Sequence, residues 1–210
     1  MDLNIPLLVI IAINAIVSFK GFNDAEFFRK YEFHVGSIRS GEQYRMFTSA
    51  FLHADIMHLG FNMFTLYMFA PIVVFKLGTI GFFLVYFISL IAGNLLTLYF
   101  HKNDYWYRAI GASGAVMGVL FSSILLYPEM EINFFIPGYV YGIFYLLFSI
   151  YGMKAKNDNI GHTAHFGGAI GGYAVTLIRE PYILQQETFV VIILAVPIII
   201  LFVMAKMGKL

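Results

Sequence analysis

Seven apolar runs joined by mostly short polar connections constrain this chain more than any single residue does. They lie at about residues 4–19, 56–75, 79–100, 112–127, 133–151, 163–179 and 188–205. A soluble domain is about a quarter charged. Here charged residues make up 12% and hydrophobic residues 60%, with a mean hydropathy of +0.79. In lipid every backbone amide must find its partner inside its own segment, so such runs become helices. The composition therefore predicts an all-α membrane protein, a polytopic helical bundle. Several runs fall short of the ~20 residues of a usual span, which predicts a thin or locally deformed membrane footprint. The first run, Ile5 to Phe19, lacks a basic leader and an A-x-A-like cleavage site, and reads as a retained span.

Composition also excludes function classes. A net charge of +1 leaves no nucleic-acid footprint. With no cysteine there is no disulfide, thiolate nucleophile or Cys-ligated metal. The one long connection is the first loop, residues 20–55, which holds ten of the 25 charged residues. Its stretch from Met46 to Leu52 is apolar and is expected to dip into the membrane, shielded by protein. Tyr105-Trp106-Tyr107 reads as an interfacial anchor. With seven spans, all Lys and Arg except Lys76 and Arg179 fall on one face. The positive-inside rule would put that face in the cytoplasm, although loop 20–55 also carries five acids.

Three runs of like direction, the second, fourth and sixth, carry unusual polar residues near the same end. His58 and Asn62 lie four apart on one helix face. Ser113 opens the fourth run and His165 stands near the start of the sixth. Asn62 is 14 residues from Lys76, His165 is 14 from Arg179 and Ser113 is 14 from Tyr127. Each separation is roughly 21 Å of helix, so the three reach one level, with His58 a turn higher. Gly114 and Gly118 on one run, and Gly168 and Gly172 on the other, form small-residue faces that let helices approach closely. Such contact would bring His165 against Ser113.

A serine hydroxyl becomes a nucleophile when a neighbouring base takes its proton, and His165 is the candidate base. The oxyanion needs fixed donors. The Ser113 N–H at a helix start, with Asn62 and His58, can supply them. No Asp or Glu sits at this level in any run, which points to a dyad. His53 reads as structural, and His34 and His101 as interfacial. His162, three residues before His165, leaves a metal pair conceivable. The Phe and Tyr stripes of 133–151 read as packing. A transporter or channel with a polar layer remains open, although repeated halves and mid-membrane charges are not apparent.

Gly111-Ala112-Ser113-Gly114, Ala164-His165-x-x-Gly168-x-x-x-Gly172 and His58-x-x-x-Asn62, in this order, resemble the rhomboid intramembrane serine proteases. The resemblance covers about residues 1–180, taken as a six-span catalytic core, with 181–210 as an additional span. It implies a Ser113–His165 dyad, oxyanion donors at His58, Asn62 and the Ser113 backbone, and no metal or ATP. It further implies single-pass transmembrane protein substrates cut within the bilayer, and an active site opening outward from a cell membrane. Oligomeric state is left open, and a non-catalytic relative that only binds membrane proteins is the alternative within the family. Three features depart from the pattern. The first-loop Trp-Arg pair is Tyr44-Arg45, the aromatic four residues after the serine is Met117, and a seventh span follows the core.

Overall fold

A computed structural model describes residues 4–132, 135–155 and 160–210. Polar side-chain caps mark where several of its helices begin. Helix α1 (Ile5–Asn23) starts where the Asn4 side chain accepts the N–H of Leu7, with proline in its first turn. Asp24 then caps α2 (Ala25–Tyr31) by accepting the Phe27 N–H. Asp55 caps the long α5 (Ile56–His101) in the same way, its carboxylate 2.8 Å from the His58 nitrogen. Each cap satisfies an amide that the first helical turn leaves unbonded.

Glycine breaks what apolar sequence would continue. Gly78 divides α5 with φ +72°, a backbone that side-chain-bearing residues rarely adopt. The break separates the second and third apolar runs where the sequence places it. Helix α6 (Ser113–Leu126) follows, and every residue from Gly114 to Leu126 is buried. A helix apolar on all sides is stable only where it is surrounded, and α6 is the axis of the bundle. Helices α7 (Gly138–Ala155), α8 (His162–Arg179), α9 (Ile183–Gln186) and α10 (Thr188–Lys206) complete the chain.

The core is α6 held between α8 and the second half of α5, backbone against backbone. A Cβ on Gly168 would collide with the carbonyl of Gly114, and one on Gly172 with that of Gly118. A Cβ on Gly118 would strike Ser89, and one on Gly93 would lie 2.6 Å from the Ala164 carbonyl oxygen. The Gly114/Gly118 face thus meets the Gly168/Gly172 face, as the spacing predicts. Small residues are what membrane helices use to gain packing where lipid supplies no hydrophobic drive.

Outside this core the surface is apolar. Ile5 and Ile16 of α1, Phe61, Phe75 and Ile80 of α5, and Phe189, Ile192 and Ile199 of α10 are all exposed. Exposed apolar surface on this scale needs lipid as its solvent. By length and composition α1, α5 and α10 can each cross a membrane, and α6 is a shorter apolar helix. The chain is an integral, multi-pass membrane protein. Helix α10 leans on α7, with Leu194 beside Gly142, and the Tyr173 hydroxyl of α8 donates to the Val191 carbonyl.

Two connections differ from the sequence reading. The first loop is a folded unit that includes α3 (Val35–Arg39), α4 (Arg45–Thr48) and a 3-10 turn at Ser49–Phe51. Its strand β1 (Phe33–His34) pairs antiparallel with β2 (Arg108–Ala109). Buried Glu32 accepts from Arg29 and Arg108. The buried Arg45 guanidinium donates to Glu42 and to the carbonyls of Arg29 and Glu32. Tyr44 donates to the Lys30 carbonyl, so the Tyr44-Arg45 pair anchors this loop. The helix of the fifth apolar run, α7, begins at Gly138 rather than at 133, because β3 (Glu131–Ile132) pairs with β4 (Ile136–Pro137) first. Residues 133 and 134, the start of that apolar run, lie outside the described residues.

Candidate active site

Ser113 is the first residue of α6, and the chain is bent sharply to put it there. Gly111 has φ +112°, and a Cβ on it would lie 2.8 Å from the His58 ring. Both facts require glycine. The Gly111 N–H donates to the Ser49 carbonyl at 3.0 Å. No side chain caps α6, and the Val116 N–H is the one that reaches the Ala112 carbonyl. The amides of the first turn, Ser113's among them, are the ones an uncapped helix leaves directed at the adjoining space, at the positive end of its dipole.

That space is a cavity of about 820 Å³, and its wall includes Ser113, His165, His58 and Asn62. The four come from three helices: α6, the first turn of α8, and the start of α5. Ser113 and His58 are half-buried, while Asn62 and His165 are buried. The residues that the sequence puts at one level therefore line one cavity. Met117, Asp55 and Arg108 line it too.

Hydrogen bonds assign the imidazole protons. The Ala54 N–H points at His58 Nδ1, 3.4 Å away, which makes Nδ1 the acceptor and leaves Nε2–H as a donor. Asn62 Nδ2 gives one of its two protons to the His58 carbonyl at 3.0 Å, and the second remains for a ligand. Asp55, a carboxylate on the same wall, is engaged by the His58 N–H. On His165, Nδ1 lies 2.7 Å from the Tyr145 hydroxyl of α7.

His53 is fully buried and ties three segments together. The Ala112 N–H donates to its Nε2 at 3.4 Å. Its Nδ1 is 2.8 Å from Ser18 Oγ, and that hydroxyl donates to the Phe51 carbonyl at 3.0 Å. One chain of protons satisfies all of this: Ala112 to His53, His53 to Ser18, Ser18 to Phe51. It requires a neutral ring. Burial, and next the charge of His58, push the His53 pKa down to about 3. His53 stays structural, as its place at the loop edge suggests, and it holds the residue that precedes Ser113.

Two expectations change. Tyr145 is more than packing, since its hydroxyl reaches His165, and Tyr141 and Phe148 of the same stripe border the cavity. An aromatic stripe does not reveal which hydroxyl turns inward. The sequence signal that could have pointed to it is Met117, a thioether where the imidazole would otherwise find an aromatic. His162 borders a separate hollow of about 280 Å³ with His101 and Tyr107. Its ring lies against Gly152, 6.4 Å from the His165 ring. Among the described residues no three His, Cys, Asp or Glu side chains gather as metal ligands.

A family model described as Rhomboid domain matches residues 40–182. The chain is 34% identical over 149 residues to the putative rhomboid protease YdcA of Bacillus subtilis, covering 67% of this chain and 69% of that protein. It is 31% identical over 137 residues to the rhomboid protease GluP of the same organism, covering 65% and 26%. It is 28% identical over 181 residues to RHOMBOID-like protein 12, mitochondrial, of Arabidopsis thaliana, covering 77% and 54%. The chain thus spans about half the length of the plant relative and about a quarter of GluP.

Proposed function

Because this chain belongs to the rhomboid family, we propose that it is an intramembrane serine endopeptidase working through Ser113 and His165. The observation that carries the reading is the shared cavity wall. A serine at an uncapped helix start, an imidazole from a neighbouring helix, and two amide or imidazole donors face one space large enough for a peptide segment.

The chemistry divides among these groups. His165 Nε2 takes the Ser113 Oγ proton as the oxygen attacks the scissile carbonyl. The tetrahedral oxyanion is held by the Ser113 N–H, His58 Nε2–H and the free proton of Asn62, with the α6 dipole behind them. The imidazolium returns its proton to the leaving amine. Water then repeats the sequence on the acyl-enzyme, with His165 again as base. Among the described residues the carboxylate on the cavity wall is Asp55, which is occupied at the start of α5.

Substrates are single-pass transmembrane proteins presented from the bilayer. Residues 1–180 supply the catalytic core, and 181–210 an additional span against α7. The cavity opens to the extracytoplasmic side of a cell membrane. Part of the positive count on that face is held within the first loop: Lys20 pairs with Asp24, Arg29 with Glu32, and buried Arg45 with Glu42. The test is cleavage of a model transmembrane substrate by purified protein in detergent. Wild type should produce fragments and Ser113→Ala none, with equal melting temperatures. Cleavage by Ser113→Ala would overturn the assignment.

A further inference from the structure

A base has to be aimed as well as present. Neutral imidazole carries one proton on two nitrogens. For His165 to take the Ser113 proton at Nε2, Nδ1 must hold the ring's own proton. Enzymes with a triad fix this tautomer with a carboxylate at Nδ1. Among the described residues the carboxylate on the cavity wall is Asp55, and it caps α5 through the His58 N–H. Met117, one turn after Ser113, offers no donor and only a weak acceptor.

We propose that Tyr145 is the positioning residue of His165, its hydroxyl oxygen accepting the Nδ1 proton and so keeping Nε2 in the unprotonated form that can act as base toward Ser113. The inference rests on the Ser113–His165 reading. The Oη–Nδ1 separation of 2.7 Å is that of a well-formed hydrogen bond. The rings also touch, with centroids 5.9 Å apart and planes inclined by 36°, so the imidazole is held by contact as well. Tyr145 is braced in turn by Tyr141, stacked at 6.0 Å and 23°.

The bond strengthens as the reaction proceeds. When His165 becomes imidazolium its Nδ1–H is a charged donor, and charge-assisted bonds are about twice as strong as neutral ones. Tyr145 keeps its own proton throughout and only accepts. An interaction that grows toward the transition state raises kcat and leaves KM unchanged. Tyr145 also stands on a different helix from the other site groups, which belong to α5, α6 and α8. A shift of α7 away from α8 would break the bond, so the placement of α7 and the aim of His165 are coupled.

The test compares wild type, Tyr145→Phe and Tyr139→Phe, with Ser113→Ala and His165→Ala as references. Tyr145→Phe should lower kcat roughly tenfold, the rate equivalent of one lost hydrogen bond, with KM and melting temperature unchanged. Tyr139→Phe, on the same helix but with its ring against Phe189 of α10 rather than on the cavity wall, should match wild type. In protein labelled with 15N-histidine, the signals that vanish in His165→Ala identify that ring. They should report a single tautomer protonated at Nδ1 in wild type and a mixture in Tyr145→Phe. Wild-type kcat in Tyr145→Phe, an equal loss in Tyr139→Phe, or a wild-type His165 ring without an Nδ1 proton would overturn the proposal. The last measurement needs no variant at position 145. Cleavage surviving in Ser113→Ala would instead defeat the dyad, while the ring signals still decide whether Tyr145 holds His165.

Discussion

Gly168 of α8 rests on the carbonyl of Gly114 of α6, so closely that no side chain fits between them. Gly114 follows Ser113, and Gly168 stands three residues, nearly one turn, after His165. This contact therefore sets how closely the helices that carry Ser113 and His165 approach. On the proposed dyad, packing and chemistry become one geometric fact.

Gly168→Val should accordingly disable cleavage although it touches no reacting atom. A branched side chain must push α8 off α6, and a misplacement of about 1 Å in a reacting group can cost on the order of 10²-fold in rate. Overpacking should also lower stability by about 1–3 kcal/mol. Activity and thermal melting in detergent, measured side by side, check both. A variant that melts like wild type and cleaves like wild type would mean that the contact does not set the site.

His53 should make stability depend on pH. Its folded pKa, near 3, lies below the ordinary histidine value of 6.5. Below pH 6.5 the unfolded chain takes up a proton that the folded chain refuses. The stabilisation is thus complete above about pH 6.5 and is lost progressively as the pH falls toward 3. Between pH 7.5 and pH 5 this single group accounts for about 2 kcal/mol. Half-buried His34, its pKa also lowered by desolvation, acts in the same direction. The His53 share is therefore isolated by comparison with His53→Gln, which should be less stable at pH 7.5 and have a flatter slope. Parallel slopes in the two proteins would refute the neutral-tether account.

The helices and the meeting of polar residues were legible in the sequence because both follow from counting along one segment. Gly78 marks the break in α5, and the common 14-residue distances put Ser113, Asn62 and His165 on one cavity wall. The spacing of Gly114, Gly118, Gly168 and Gly172 gave the facing surfaces. What could not be counted depends on partners far apart in sequence. Strand β1 needs β2, 75 residues on, to exist as a strand, as the pairing of Phe33 with Ala109 and of His34 with Arg108 shows. The side chain of Glu32 is satisfied by Arg108, and no local pattern announces that. Tyr145 is one of several aromatics on α7, and only the packing of α7 on α8 selects its hydroxyl.

Asn62→Ala should slow cleavage on the order of 10²-fold, as removal of one oxyanion donor does elsewhere, and should leave KM unchanged. The loss should be smaller than that of His165→Ala, because His58 Nε2–H and the Ser113 N–H remain. The side chain of Asn62 also closes onto the His58 carbonyl, so a small drop in melting temperature should accompany it. Wild-type kcat in Asn62→Ala would assign the oxyanion to His58 and the backbone alone.

A serine-directed reagent, such as a fluorophosphonate or an isocoumarin, should attach covalently to Ser113 and to no other serine. Ser113 is half-buried on a cavity wall that also carries His165. Ser18, Ser89, Ser122, Ser123 and Ser149 are all buried. Ser122 accepts from Thr176, Ser123 donates to the carbonyls of Val119 and Phe69, and Ser18 donates to that of Phe51. Ser89 is packed where a Cβ on Gly118 would strike it. Mass spectrometry of the labelled protein locates the adduct, and labelling should disappear in His165→Ala, since an unactivated hydroxyl reacts slowly with such reagents. Chelators should leave both labelling and cleavage intact. An adduct on another serine would remove Ser113 from the reaction, and activity lost to EDTA and restored by zinc would replace the dyad with a metal mechanism built on His58, His162 and His165.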